Sequence, residues 1–182
     1  MSDTPIQEYR GNSIVVRFDS TKCIHSRHCV LDRPDVFVPN VAGEWIHPDR
    51  ATPAELLELA HNCPSGAIGC SAADGSAMEQ APRVNSARVR ENGPLAFRAP
   101  MQIDGQDAGY RVTLCRCGAS AHKPYCDGSH TATAFVAGGE PAPKESAALA
   151  QRNGVLKVEP LRDGPLHVSG NLELISGTTS IR

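Results

Sequence analysis

Residues 115–130 read Cys115-Arg116-Cys117-Gly118-Ala119-Ser120-Ala121-His122-Lys123-Pro124-Tyr125-Cys126-Asp127-Gly128-Ser129-His130, a dense set of soft metal ligands among turn formers. Thiolates and imidazole suit iron–sulfur chemistry, which is the metal centre we expect here. Cys115 and Cys117, two apart, project to one side of an extended segment and can share one metal. Cys126 and His130, four apart, face the same way on one helical turn. Asp127 or Ser129 can cap that turn, Gly118 and Gly128 let backbone approach closely, and Pro124 stiffens the loop. Zinc with three cysteines and a histidine is the chemical rival, although C-x-C is tighter than the cysteine spacing usual in zinc fingers.

A second constellation lies upstream. Cys23, Cys29 and the distant Cys63-Pro64 echo the bacterial ferredoxin run, with Ser26 where its middle cysteine would stand. Three thiolates suffice for a [3Fe–4S] cluster, whereas a [4Fe–4S] cluster needs a fourth ligand. His25, Ser26, His28 and Cys70 are the candidates, and His25 is favoured. No catalytic constellation accompanies either set, so the chain is not expected to be an enzyme. His47, His61, His122 and His167 are expected mostly at the surface.

The elements that must position these ligands are short. The sequence predicts a strand at 14–18, a second at 44–46, a helix from Thr52-Pro53-Ala54-Glu55 to about Asn62, and a last strand starting at 67–68. Leu56, Leu57, Leu59 and Ala60 would form the buried face of that helix. Residues 71–82 are small and polar and read as a linker. Beyond them, strands are expected at 84–90, 95–98, 101–103 and 110–114, with a further apolar pair at 135–136 and a brief helix at 145–151. Arg83, Arg88 and Arg90 read as a basic strand face that an acidic redox partner could use.

The tail carries an internal repeat. Asn92-Gly-Pro-Leu95 recurs as Asp163-Gly-Pro-Leu166, which sets Met101-Gln-Ile103 beside Leu172-Glu-Leu174 and Arg111 on Arg182. The second copy, 155–182, is expected to keep the strands, lack the ligand loop and complete the sheet of the first.

With 182 residues, 40% hydrophobic and only 4% aromatic, the chain holds one ordinary domain or two small ones, and small cores of this kind often need a metal or a cross-link as a staple. A net charge of −2 recommends neither nucleic acid nor an anionic membrane as partner. Residues 1–13 lack the features of a signal peptide, so a cytoplasmic protein is expected, in which seven cysteines are ligands rather than disulfides.

At every fixed position residues 115–130 resemble the CDGSH iron–sulfur family, also called NEET proteins. That resemblance covers about 83–137. It implies a [2Fe–2S] cluster with Cys115 and Cys117 on one iron and Cys126 and His130 on the other, in units that usually pair as β-rich dimers. A homodimer and an internal pairing are both open. Residues 13–70, with Cys23-x-His25-Ser26-x₂-Cys29, Val36-Phe37, Trp45-Ile46-x-Pro48-Asp49 and Cys63-Pro64-Ser65-Gly66-Ala67, resemble the small monocluster ferredoxins. The fold class expected is α+β: a ferredoxin-like α+β domain (1–70), the linker (71–82), a β-rich CDGSH-type domain (83–137), a spacer (138–154) and the ligand-free partial repeat (155–182). The function expected is relay of single electrons between redox proteins such as a reductase and an oxygenase. The alternative is a redox or iron sensor, or a cluster donor.

Overall fold

In the computed structural model, which describes residues 6–140, 145–162, 164–176 and 179–181, the chain divides into two units, Met1–Gln80 and Ala81–Arg182. Each unit has its own apolar core. The fold is α+β, with short helices and two separate sheets. No helix among the described residues is long and apolar enough to cross a membrane.

In the first unit the β-branched run Ile14-Val15-Val16 makes β2 (Ile14–Asp19) the centre of an antiparallel sheet. β1 (Ile6–Arg10) pairs with one edge of it and β3 (Ile68–Ala72) with the other. Only Tyr9 of β1 is buried, so the strand shows no two-residue hydrophobic pattern in the sequence and is defined by its pairing. Between β2 and β3 come α1 (His28–Asp32), also absent from the sequence reading, and α2 (Pro53–Asn62). The N-terminus of α2 forms the full capping box: Glu55 N–H donates to Thr52 Oγ1 (3.3 Å) and Thr52 N–H to Glu55 Oε2 (2.8 Å). Leu56, Leu59 and Ala60 enter the core, while Leu57 is only partly buried.

Two expectations change here. The strand at 44–46 reduces to a single bridge between Phe37 and Ile46. The first residues of the expected linker belong to the first unit, since β3 runs to Ala72 and Ser71 bridges back to Ala77 across a turn at Asp74-Gly75.

The second unit is built from β4 (Ser86–Val89), β5 (Leu95–Ile103), β6 (Gln106–Leu114), the short α3 (Ser129–Ala132), β7 (Leu156–Pro160), β8 (Leu166–Ser169), β9 (Glu173–Ser176) and β10 (Thr179–Ile181). The two strands expected at 95–98 and 101–103 are one. Pro100, which has no N–H to offer a ladder, sits in the irregularity between Arg98 and Met101. Asp104-Gly105, with φ of +50° and +76°, makes the two-residue turn into β6.

The repeat is realised as an exchange of strands within the chain. Moving by 71 residues, from Asn92 to Asp163, carries the register of β4 with β5 (Ser86↔Arg98 to Val89↔Leu95) onto that of β7 with β8 (Lys157↔Ser169 to Pro160↔Leu166), residue for residue. Across the copies, Gln102↔Lys157 and Ile103↔Val158 of the parallel β5–β7 pair become Glu173↔Ser86 and Leu174↔Ala87 of the parallel β9–β4 pair. Each copy therefore completes the other's sheet. The symmetry breaks at the last hairpin, where β9 continues to Ser176 although β5 turns after Ile103. Asp163 and Arg182, both invoked in the repeat, lie outside the described residues.

Buried Asn85 ties the copies together by donating from Nδ2 to the carbonyls of Gly154 (2.8 Å) and Asn171 (2.9 Å). Two sequence expectations fail in this unit. Residues 145–151 are irregular rather than helical, because a short exposed segment has no packing to offset helix nucleation. Arg83 and Arg90 fall outside β4, so they share no strand face with Arg88.

Leu156 and Val158 are fully buried against the first copy's strands. Leu156→Ala should therefore destabilise the second unit by about 2–5 kcal/mol. In a denaturant titration that transition should move while the first unit's stays in place.

Candidate metal centres

β6 delivers the first pair of soft ligands. Its last residue, Leu114, bridges to Tyr125, Cys115 N–H donates to Pro124 O (2.8 Å), and Cys126 N–H donates to Thr113 O (2.9 Å). The loop is thus closed on its own strand before any metal enters. Ser120, buried inside it, donates to Tyr125 O (2.7 Å) and accepts from His122 N–H (3.1 Å). Asp127 accepts from Ser129 Oγ (2.6 Å), Ser129 N–H (3.0 Å) and Ala121 N–H (2.9 Å), which hold its carboxyl well below the usual carboxylate range. Asp127 thereby caps the turn into α3, while Gly118 and Gly128 occupy left-handed conformations (φ +77° and +89°).

The four side chains fall into two pairs. Cys115 and Cys117 Sγ are 3.8 Å apart, and Cys126 Sγ is 3.4 Å from His130 Nδ1. Among the described residues, no three His, Cys, Asp or Glu side chains converge tightly enough to hold a single ion. Two such pairs on one loop are a donor set that a two-iron cluster can use, one pair to each iron. Ala119 N–H (3.4 Å) and Gly128 N–H (3.5 Å) point at Cys117 and Cys126 Sγ, the donors that a thiolate ligand needs. Burial pushes the Cys126 thiol pKa up.

One residue of this site was not assigned a role from the sequence. Arg116, between the paired cysteines, donates to the carbonyls of Arg90 (2.7 Å), Gly93 (2.9 Å), Gly138 (2.8 Å) and Ala137 (3.3 Å) and lies 5.2 Å from the Phe135 ring centre. It clamps the segment after α3 against the turn before β5. Gly139 permits that contact, since a Cβ there would stand 2.8 Å from Val89 O. Only the planar fork of arginine serves four carbonyls at once, but nothing in the local sequence marks those carbonyls as its targets.

In the first unit Cys23, Cys29 and Cys63 line one cavity of about 540 Å³, with Trp45 and Leu59 among its apolar walls. Trp45 packs edge-on against Phe18, Phe37 and Tyr9, so it is both core and cover. Burial pushes the Cys29 thiol up to about 11, with the charges of Cys63 and Cys23 adding to it, and Cys23 is raised for the same reason. Of the candidate fourth ligands, His25, Ser26 and His28 line the cavity. Cys70 does not: its Sγ points at Leu56 O (3.6 Å) in the core beneath α2. The alternation of β3 sends that side chain to the helix-covered face. Positive φ at His25 (53°) and Arg27 (63°) bends residues 23–29 around the cavity. None of the seven cysteines is disulfide-bonded.

Two outcomes follow from this geometry. Arg116→Met should cost the second unit about 1–3 kcal/mol by leaving carbonyls without their charged donor, and should speed loss of bound metal, read by visible absorbance. In metal-free protein Cys29 should remain a thiol at pH 8, with a thiolate fraction on the order of 10⁻³. Its alkylation rate should rise about tenfold per pH unit up to the raised value. The sign for stability is the reverse: a raised thiol pKa favours the metal-free fold below about pH 8.5, and that contribution is lost as pH rises through about 11.

Comparison with known proteins matches both units. Residues 9–72 match the divergent 4Fe-4S mono-cluster family, and residues 85–131 match the iron-binding zinc finger of CDGSH type. The chain is 36% identical over 61 residues to YjdI of Escherichia coli K12, described as an uncharacterized protein, covering 33% of this chain and 78% of that one. The same figures hold for YjdI of Escherichia coli O157:H7. No solved structure matches. The chain belongs to the divergent 4Fe-4S mono-cluster family through its first unit and carries a CDGSH-type iron-binding domain in its second: it is an iron–sulfur protein.

Proposed function

We propose that this protein is a single-electron carrier between redox proteins, holding a [2Fe–2S] cluster in its second unit and a [3Fe–4S] or [4Fe–4S] cluster in its first. The observation that carries the reading is the division of the second unit's ligands into a Cys–Cys and a Cys–His pair, beside a separate cavity walled by three thiols. When bound, the clusters supply uptake and release of one electron each, without bonds made or broken in a substrate.

The chain's residues do the rest. Cys115 and Cys117 would hold one iron; Cys126 and His130 Nδ1 would hold the other. The Ala119 and Gly128 N–H groups offset thiolate charge. Imidazole is neutral where a fourth thiolate would be anionic, so His130 raises the potential. In the first unit the aromatic wall around Trp45 keeps water from the cavity. His25, which lines it, would be the fourth ligand of a four-iron cluster, and three thiolates alone would hold a three-iron one.

A second reading, cluster donation or redox sensing, is favoured by one feature. His130 is only half-buried and stands at the start of a four-residue helix, where solvent reaches it.

Anaerobic purification with iron and sulfide analysis tests the main reading, together with electron paramagnetic resonance of both redox states. Two distinct iron signals support it, and a colourless zinc-loaded protein overturns it. Cluster loss from the native protein should accelerate as the pH is lowered, because protons compete with metal for its ligands. His130→Cys should lower the potential and slow that loss. Fast transfer of iron and sulfide to an apo-ferredoxin, with no electron exchange, would decide for the second reading.

A further inference from the structure

We propose that an open groove beside Cys115 is the docking face for an acidic one-electron carrier protein. The proposal rests on the electron-carrier reading and adds where the exchange takes place and with what chemistry of partner.

The internal repeat locates the groove. In the first copy the turn carbonyls of Arg90 and Gly93 are covered by Arg116. Shifted by 71 residues, these positions are Leu161 and Gly164, and there they line an open groove of about 640 Å³. The turn itself is preserved, since Gly93 N–H donates to Arg90 O and Gly164 N–H to Leu161 O, both at 3.1 Å. The opposite wall of the groove is the metal loop: Cys115, Arg116 and Lys123. Whatever occupies the groove therefore meets a ligand side chain directly, with no residue between.

Chemistry selects the occupant. Leu161, 53% exposed, offers an apolar contact at the groove. Among the described residues the lining holds two cations, Arg116 and Lys123, and no acid. The chain's overall charge of −2 conceals a split, because residues 81–182 carry 12 Lys and Arg against nine Asp and Glu. A positive face around an apolar floor steers an acidic partner and repels a basic one. When such a carrier docks, one electron passes, the carrier is oxidised, the iron is reduced, and no bond forms or breaks.

The test uses the full cluster-loaded chain with an acidic flavodoxin as probe, and compares native protein with Lys123→Glu and with Leu161→Asp. Binding is measured by isothermal titration at two salt concentrations, reduction by stopped flow with reduced flavodoxin, and dithionite serves as a small control reductant. Expected are binding that weakens with salt, a loss of about tenfold in affinity and in second-order rate for each variant, and unchanged visible spectra and dithionite reduction. Variants that bind and react like the native protein overturn the proposal, as does salt-insensitive binding. If the substitutions instead change the sedimentation of the protein alone, a second copy occupies the groove and the proposal fails. A cluster that dithionite cannot reduce refutes the electron-carrier reading separately, while the binding arm still judges the docking face.

Discussion

The parallel pairing of Leu156–Val158 with Met101–Ile103 supports the rest of the second unit, because β5 is the strand from which the metal loop is ultimately held. β6 lies along β5 for its whole length and ends at Leu114, one residue before the first cysteine. A metal loop is only as precise as the sheet it leaves, and an unpaired sheet edge invites pairing with another chain. The repeat meets both demands at once. β7 covers the far half of β5, β9 covers β4, and the apolar faces of the two copies close into one core. The two copies of the strand unit pair with each other inside one chain.

The two candidate centres are held differently, and the difference suits their ligands. In the second unit the loop is cross-tied by its own polar groups, Ser120, Asp127 and the Arg116 clamp, so both ligand pairs are in place while the loop surface stays exposed. The first unit keeps its three cysteines on separate pieces of chain, before α1, within it and after α2, gathered around a cavity by the apolar core. Burial there raises the Cys23 and Cys29 thiols, so a metal has to displace a firmly held proton from each.

Much of this architecture was legible in local pattern. The capping box at Thr52–Glu55 and the β-branched run at 14–16 depend on residues within four of each other, and the turn-rich CDGSH loop on residues within about a dozen, so local chemistry decides them. Pairing across long separations was not legible in this way. β1 has a single buried residue, and only the edge of β2 makes it a strand. The helical composition of 145–151 lost because it had nothing to pack on. Cys70 stayed among the candidate fourth ligands, since sequence does not show that its side chain packs beneath α2.

By itself, then, the sequence determined the candidate ligand types and their spacing, which are written in residue identity over short distances, and the repeat, which is written in a motif that recurs. Tertiary structure alone decided that the repeat exchanges strands within one chain, that Arg116 is a clamp and that the ligands stand in two pairs. It also decided that Cys70 is core and that the second copy's turn opens onto Cys115. These depend on which carbonyl, edge or face is brought near from tens of residues away, and that is set by packing.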